Sequence, residues 1–316
     1  MSSTPPIVLQ QAEARRLLQQ VDVHQAMRNM FLDLAAGEAV QPAQQLVEFP
    51  NAAGDFINYL GVLAKDGVYG VKTSPYIKKP DGALVTAWTL LMSMDSGQPL
   101  LLCDAAELTT ARTAATTAVA VEVLAPAQAR RLAVVGSGPV ARAHLHYVKG
   151  LRDWQRIAVY SPSLSDDART QLAAQDPRVE FSATLEDAVA EADVVMLCTS
   201  SAGPVLDPRS LAKPALVTSI STNAPRAHEV PPQALGEMDV YCDYRATTPG
   251  SAGEMLLAAE LHGWSRDAIR GDLPELVSGK AARPDYSRPV FFRSIGLGLE
   301  DMALANALYH LQRQGQ

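Results

Sequence analysis

The chain has 316 residues, 47% of them hydrophobic and 19% charged, with a formal net charge of −7. That length exceeds what one hydrophobic core supports and predicts two domains. No run approaches the ~18 uninterrupted apolar residues of a membrane span, and no basic stripe offers a seat to a phosphate backbone, so neither a membrane nor nucleic acid is an expected partner.

The opening "MSSTPPIVLQQAEARRLLQQ" lacks a basic segment followed by an apolar one, which predicts a cytoplasmic protein. Cys103, Cys198 and Cys242 are odd in number and far apart, which suits reduced thiols. No metal-ligand spacing occurs, so no metal is expected. His144 and His146, two positions apart, fall on different sides of a helix and are expected to be surface or supporting groups.

Helical periodicity runs from about 8 to 37 through Ala14, Leu17, Leu18, Val21, Met27, Met30, Phe31 and Leu34, ending near Gly37. From about 42 to 105 short alternating runs broken by "KKPDGA" and "MDSGQP" predict a meander of strands. "AELTTARTAATTAVAVEVLAP" (106–126) then reads as a long helix of small residues, packed on several sides and closed by Pro126. From 131 the pattern becomes strand, glycine turn, helix, strand, helix, strand: apolar runs of four to six residues alternating with helical ones predict a parallel sheet with crossover helices. "ALVTSISTN" and "DVYCD" extend it. After about 285 a short strand, a glycine pair and a terminal helix are expected to return to the first domain.

Within "LAVVGSGPVARAHL" (132–145) the glycines have separate tasks. Gly136 allows the tight turn out of the strand, Gly138 lets backbone approach a ligand, and Ala141 lets the helix lie near the sheet. Pro139 presets the first helical turn. Open N–H groups and the positive end of the helix dipole then form a seat for a pyrophosphate. The next strand, "RIAVYS", ends where a ribose would be read; Ser161 and Ser163 stand where an NAD-selective carboxylate would be, with acids only later at Asp166 and Asp167. NADPH is therefore expected ahead of NADH, which remains possible.

Three further segments, "GVKTSPY" (70–76), "TTARTAATTAVAVEVLAP" (109–126) and "FFRSIGLGLEDMALA" (291–305), disposed around this nucleotide fold, resemble the ornithine cyclodeaminase and mu-crystallin family. The resemblance implies an α/β protein with a Rossmann dinucleotide-binding domain (126–285) and a smaller α+β substrate-binding and dimerisation domain (1–125 with 286–316), forming a homodimer. It assigns Lys72 and Arg112 to the substrate carboxylate. The chemistry agrees, since a planar guanidinium grips a carboxylate and a lysine adds charge and can pass a proton. Asp301, in "LGLED", looks like the family's acid at the start of the last helix, able to orient Lys72. The cofactor would be lined by Thr113, Gly136, Ser137, Gly138, Pro139, Val140, Ser161, Ser163, Thr199, Ser200, Ser219, Ser221 and Gly296.

Two departures matter. Gln44 replaces a third carboxylate-binding arginine, and Asn223 replaces the aspartate that serves the cyclodeaminases as a base. An amide cannot act as that base. A reductase asks less: hold a cyclic imine carboxylate, deliver hydride to the C=N carbon and protonate nitrogen, with Asn223 hydrogen-bonding a ring nitrogen or the nicotinamide amide. The expectation is an NAD(P)H-dependent reductase of a small cyclic imino acid, 1-pyrroline-2-carboxylate to L-proline first and 1-piperideine-2-carboxylate to L-pipecolate next. The alternatives are a cyclodeaminase lyase, a reductive aminase of the alanine dehydrogenase kind, and a crystallin-like binding protein without turnover.

Overall fold

A computed structural model describes residues 5–221 and 226–315. The chain divides into two compact units. One takes the residues up to Arg112 and from Gly296 onward; the other is Thr113–Ile295.

The first unit begins with β1 (Ile7–Leu9), α1 (Gln11–Leu18) and α2 (Val23–Ala36). Asp22 caps α2 by accepting from Gln25 N–H, and Gly37 ends it at φ 78°, where a side chain would be strained. Then come β2 (Ala39–Val40), β3 (Gln45–Glu48), β4 (Gly54–Leu63), β5 (Val68–Lys79), β6 (Gly82–Val85), β7 (Trp88–Ser93) and β8 (Pro99–Asp104). Among the described residues they form an eight-stranded sheet in the order β1-β8-β7-β5-β4-β2, with β3 on β4 and β6 on β5. The three residues of β1 pair parallel to β8; so short a strand shows no period, and it overlaps the start of the stretch expected to be helical.

Helix α3 (Ala106–Leu124) follows; its Arg112 is the last residue of the first stretch of unit one, and Thr113 opens the second unit. The second unit then runs β9 (Arg131–Val135), α4 (Pro139–Val148), β10 (Arg156–Tyr160), α5 (Asp166–Ala173), β11 (Val179–Phe181), α6 (Leu185–Val189), β12 (Val194–Leu197), β13 (Leu216–Ser219), β14 (Asp239–Cys242), α7 (Gly253–His262), β15 (Ile269–Asp272), α8 (Leu273–Val277) and β16 (Val290–Arg293). The strands lie in the order β11-β10-β9-β12-β13-β16-β14-β15, each parallel to its neighbours. Starting from β9, the order 3-2-1-4-5 is that of a doubly wound dinucleotide-binding sheet. Val135, Leu197, Val217, Val240 and Phe291 are buried in one cluster, and residues covered on both faces explain the unbroken apolar runs.

The last strand departs from expectation. β16 was placed with the first domain, but "VFFR" is buried at all four positions and pairs with both β13 and β14. An apolar run of that kind belongs inside a parallel sheet. The return to unit one therefore starts at Gly296, with α9 (Gly298–Gln314).

Helix α9 lies hard against β4. A Cβ on Gly298 would come within 2.1 Å of Leu60 O, and one on Gly61 within 3.0 Å of Leu299 N. Gln41 Oε1 accepts from Leu299 N–H at 3.0 Å, satisfying a donor of the first turn. This contact sets the start of α9, with Glu300 and Asp301, over the sheet.

Candidate active site

In the first unit four charged side chains meet in the interior. Lys72 projects from β5, Arg112 from α3, and Glu300 and Asp301 from the first turn of α9. Lys72 and Arg112 are 1% and 4% exposed, and the two acids are fully buried. Lys72 Nζ lies 3.0 Å from Asp301 Oδ2, Arg112 Nη1 3.0 Å from Glu300 Oε2, and Arg112 Nε 3.4 Å from Asp301 Oδ1. Charges this deep persist only when paired, because their desolvation is otherwise uncompensated.

The surroundings tune the two cations differently. Burial, with repulsion from Arg112, lowers the Lys72 amine from its ordinary 10.5 to about 8, against the pull of Asp301 and Glu300. Burial also works against Arg112, but Asp301 and Glu300 more than offset it and raise its pKa. Lys72 Nζ donates to Thr109 Oγ1 at 3.4 Å and sits 4.1 Å from the centre of the Tyr59 ring, its partner across β4 and β5. Of the two cations Lys72 therefore gives up its proton the more readily, and Arg112 keeps its charge.

The second unit holds a cavity of about 1120 Å³ at the carboxyl ends of β9, β10, β12 and β13, lined by Gly136 to Val140, Tyr160 to Ser163, Thr184 to Glu186, Cys198 to Ser201 and Ser221. Gly136 adopts φ +123°, and a Cβ there would lie 2.4 Å from Cys198 O. Gly138, the N-cap of α4, has no side chain to cap the helix, a Cβ there would meet nothing within 4 Å, and the start of α4 at Pro139 and Val140 lines the cavity. Ala141 is fully buried beside the sheet. Backbone donors at a helix start with a bare glycine before them fit a pyrophosphate, and the serines at the end of β10 fit a ribose. A dinucleotide therefore fits these residues.

Of the residues assigned to the cofactor from the sequence, Gly136, Ser137, Gly138, Pro139, Val140, Ser161, Ser163, Thr199, Ser200 and Ser221 line this cavity. Three do not. Ser219 is buried, its hydroxyl donating to Glu229 Oε2 at 2.7 Å. Gly296 packs on Arg112 instead: at φ +78°, a Cβ there would lie 2.1 Å from Arg112 Nη1, so this glycine makes room for the guanidinium. Thr113 lies on α3, where its carbonyl accepts from Thr117 Oγ1 at 3.3 Å. Asn223 falls outside the described residues. Gln44 is half-buried, just ahead of β3.

His144 takes the supporting place expected of it. It is buried, with Nδ1 2.8 Å from Val140 O and Nε2 3.0 Å from Thr117 Oγ1, and burial lowers its pKa to about 4. A neutral imidazole satisfied at both nitrogens is a core group; His146 is exposed.

The sequence reading missed Glu300, Tyr59 and Glu229. Glu300 adjoins Asp301 in "GLED", so the doubled acid on an otherwise apolar helix start was the available signal. Tyr59 follows from the register of β4 on β5, which a sequence does not print. Among the described residues no group of His, Cys, Asp and Glu could hold a metal, and no helix is long and apolar enough to cross a membrane.

Residues 5–316 match the model of the ornithine cyclodeaminase/mu-crystallin family. The chain is 71% identical, over 100% of both sequences, to the NAD(P)H-dependent anabolic L-arginine dehydrogenase DauB of Pseudomonas aeruginosa. It is 24% identical to the Delta(1)-pyrroline-2-carboxylate reductase of Bacillus cereus, over 96% of this chain and 95% of that one. Its fold is shared with the Thermococcus litoralis Delta(1)-pyrroline-2-carboxylate reductase in complex with NADH and L-proline, at a TM-score of 0.87 and 21% identity over 98% of each chain. A probable ornithine cyclodeaminase from Bordetella pertussis superposes at a TM-score of 0.88 with 28% identity, again over 98% of each chain. Glycine turn, sheet order, buried charged quartet and whole-length match agree: the chain belongs to the ornithine cyclodeaminase/mu-crystallin family.

Proposed function

We propose that the chain reduces the imine of a 2-oxo acid bearing a guanidino side chain, giving L-arginine, with NADPH or NADH as the reductant. It is an NAD(P)H-dependent oxidoreductase of a family whose members work at carbon–nitrogen bonds; the substrate is the proposed part. The observation that carries the reading is the buried Lys72–Asp301 and Arg112–Glu300 quartet, and the 71% identical arginine dehydrogenase supports the side chain.

When bound, the reduced dinucleotide supplies a hydride to the imine carbon. The chain's own residues do the rest. Arg112, fixed by Glu300 and Asp301, holds the substrate carboxylate without giving up its own proton. Lys72 adds a second positive charge and, with its pKa near 8, can release the proton that the substrate nitrogen takes. Asp301 orients Lys72. The four side chains are formally neutral together, so an entering carboxylate favours the ammonium form of Lys72.

NADPH is the favoured coenzyme in this reading because no carboxylate stands at the end of β10; Glu186, the acid that lines the cavity, comes from α6. The chain works as a homodimer, and its buried free cysteines suit the cytoplasm. A second reading, reduction of 1-pyrroline-2-carboxylate or 1-piperideine-2-carboxylate, is favoured by the 24% identical reductase.

The test is coenzyme oxidation with 2-oxo-5-guanidinopentanoate plus ammonia, beside both cyclic imines, and ornithine with NAD+ as the lyase control. Turnover to L-arginine that requires ammonia is expected. Turnover of the cyclic imines alone selects the second reading, and ammonia release from ornithine would replace both.

A further inference from the structure

Glu229 is fully buried in the second unit and does not line the dinucleotide cavity. Its carboxylate nevertheless accepts four hydrogen bonds from the segments that do. Oε1 accepts from the Thr199 N–H at 2.9 Å and the Thr199 hydroxyl at 2.7 Å. Oε2 accepts from the Ser219 hydroxyl at 2.7 Å and the Ser221 N–H at 2.9 Å. The Glu229 carbonyl also accepts from Val205 N–H at 2.7 Å and Leu206 N–H at 3.2 Å. One residue therefore ties the segment after β12 to the segment after β13, and Thr199, Val205 and Ser221 are cavity wall.

The chemistry of the group fits this task. A carboxylate offers lone pairs to four donors and has no hydrogen of its own, whereas an amide of the same shape turns half of that face into donors. Ser221 sits at φ +51°, a conformation a non-glycine residue keeps only when its surroundings hold it, and its N–H bond to Glu229 is such a hold. The hydroxyls of Thr199 and Ser219 spend their hydrogens on Glu229, so toward the cavity Thr199 Oγ1 has only lone pairs to give. In a doubly wound sheet with the pyrophosphate at Gly136 to Val140 and the adenosine toward β10, the other half of the coenzyme falls toward β12 and β13.

We infer that Glu229 is a positioning residue for the nicotinamide half of the coenzyme, locking the β12 and β13 loops into the wall that receives it. The inference rests on the dinucleotide reading of the cavity and is independent of the substrate.

The experiment titrates NADPH and, separately, ADP into the full-length wild type, Glu229→Gln and Glu229→Asp, following binding by calorimetry. Glu229→Gln is expected to weaken NADPH by about ten-fold or more while ADP changes by less than about two-fold, because lost bonds to buried donors act on one half of the site. Glu229→Asp, which keeps four acceptor positions, should recover part of the loss. Unchanged NADPH binding in Glu229→Gln, or equal weakening of NADPH and ADP, overturns the inference; a wild type that binds neither overturns the cavity reading instead. Should Glu229→Gln not fold, Ser219→Ala removes one of the four donors outside the cavity wall and is expected to show the same selectivity at about three-fold; an equal or absent effect there is equally decisive.

Discussion

Lys72 Nζ stands 3.0 Å from Asp301 Oδ2, strand against helix start, in a place that admits almost no solvent. Since burial brings the amine down from 10.5 to about 8, kcat/KM for imine reduction should hold up to about pH 8 and fall above it as the carboxylate loses one of its two cations. Lys72→Met should abolish that limb. The linkage runs the same way: the folded-state value lies below the unfolded one, so this group's contribution to stability is smallest below about pH 8 and grows as pH climbs toward 10.5. A pH–rate profile beside a denaturation series checks both.

Arg112→Ala leaves Glu300 and Asp301 without their shared cation. Loss of one partner of a buried pair costs roughly 3–5 kcal/mol, so a lower melting midpoint is expected together with a KM for the imino acid raised about a hundred-fold or more. Gly296→Ala, whose Cβ would strike Arg112 Nη1, should raise KM in the same direction while the coenzyme dissociation constant stays put. A lower melting midpoint with an unaltered KM would make the quartet a structural device only.

The two glycines of the turn should separate on substitution. Gly136→Ala meets Cys198 O at 2.4 Å from a positive φ, so both stability and coenzyme binding suffer, the former by about 1–3 kcal/mol. Gly138→Ala meets no protein atom within 4 Å and should leave the melting midpoint of the free protein unchanged while weakening NADPH about ten-fold through its contact with the pyrophosphate. Thermal melts with and without coenzyme distinguish the two.

Ser161→Asp places a carboxylate at the end of β10, where it repels a 2′-phosphate and accepts from a ribose hydroxyl. The kcat/KM ratio for NADPH over NADH should fall by about ten-fold or more. An unmoved ratio would point to Glu186, which also lines the cavity.

Leu46 and Val47 on β3, Tyr76 on β5, and Leu84 and Val85 on β6 are exposed apolar side chains of the first sheet. Cover for them by a second copy is the expectation. Sedimentation should find a dimer, and Val85→Lys should shift it toward monomer.

The second sheet was readable because buried parallel strands write unbroken apolar runs and the turn before α4 needs its glycines. Lys72, Arg112 and Asp301 were found by likeness of motif, and the fold brings them together. Other parts left no local trace. Glu229 meets Thr199 across thirty positions and so shows no spacing rule. Gly296 is assigned to the coenzyme by the resemblance alone, and its missing side chain makes room for Arg112. β16 lay in a stretch whose helix belongs to one unit and whose strand belongs to the other, and an apolar tetrapeptide does not declare which sheet it enters.

That placement has a consequence for biogenesis. A ribosome emits the N-terminus first, but β16 lies between β13 and β14, so the second sheet has a gap until residues 290–293 have emerged. The first sheet likewise waits for α9 to cover Lys72. Neither half closes early, and a nascent chain must keep its unpaired strand edges from aggregating until β16 and α9 appear.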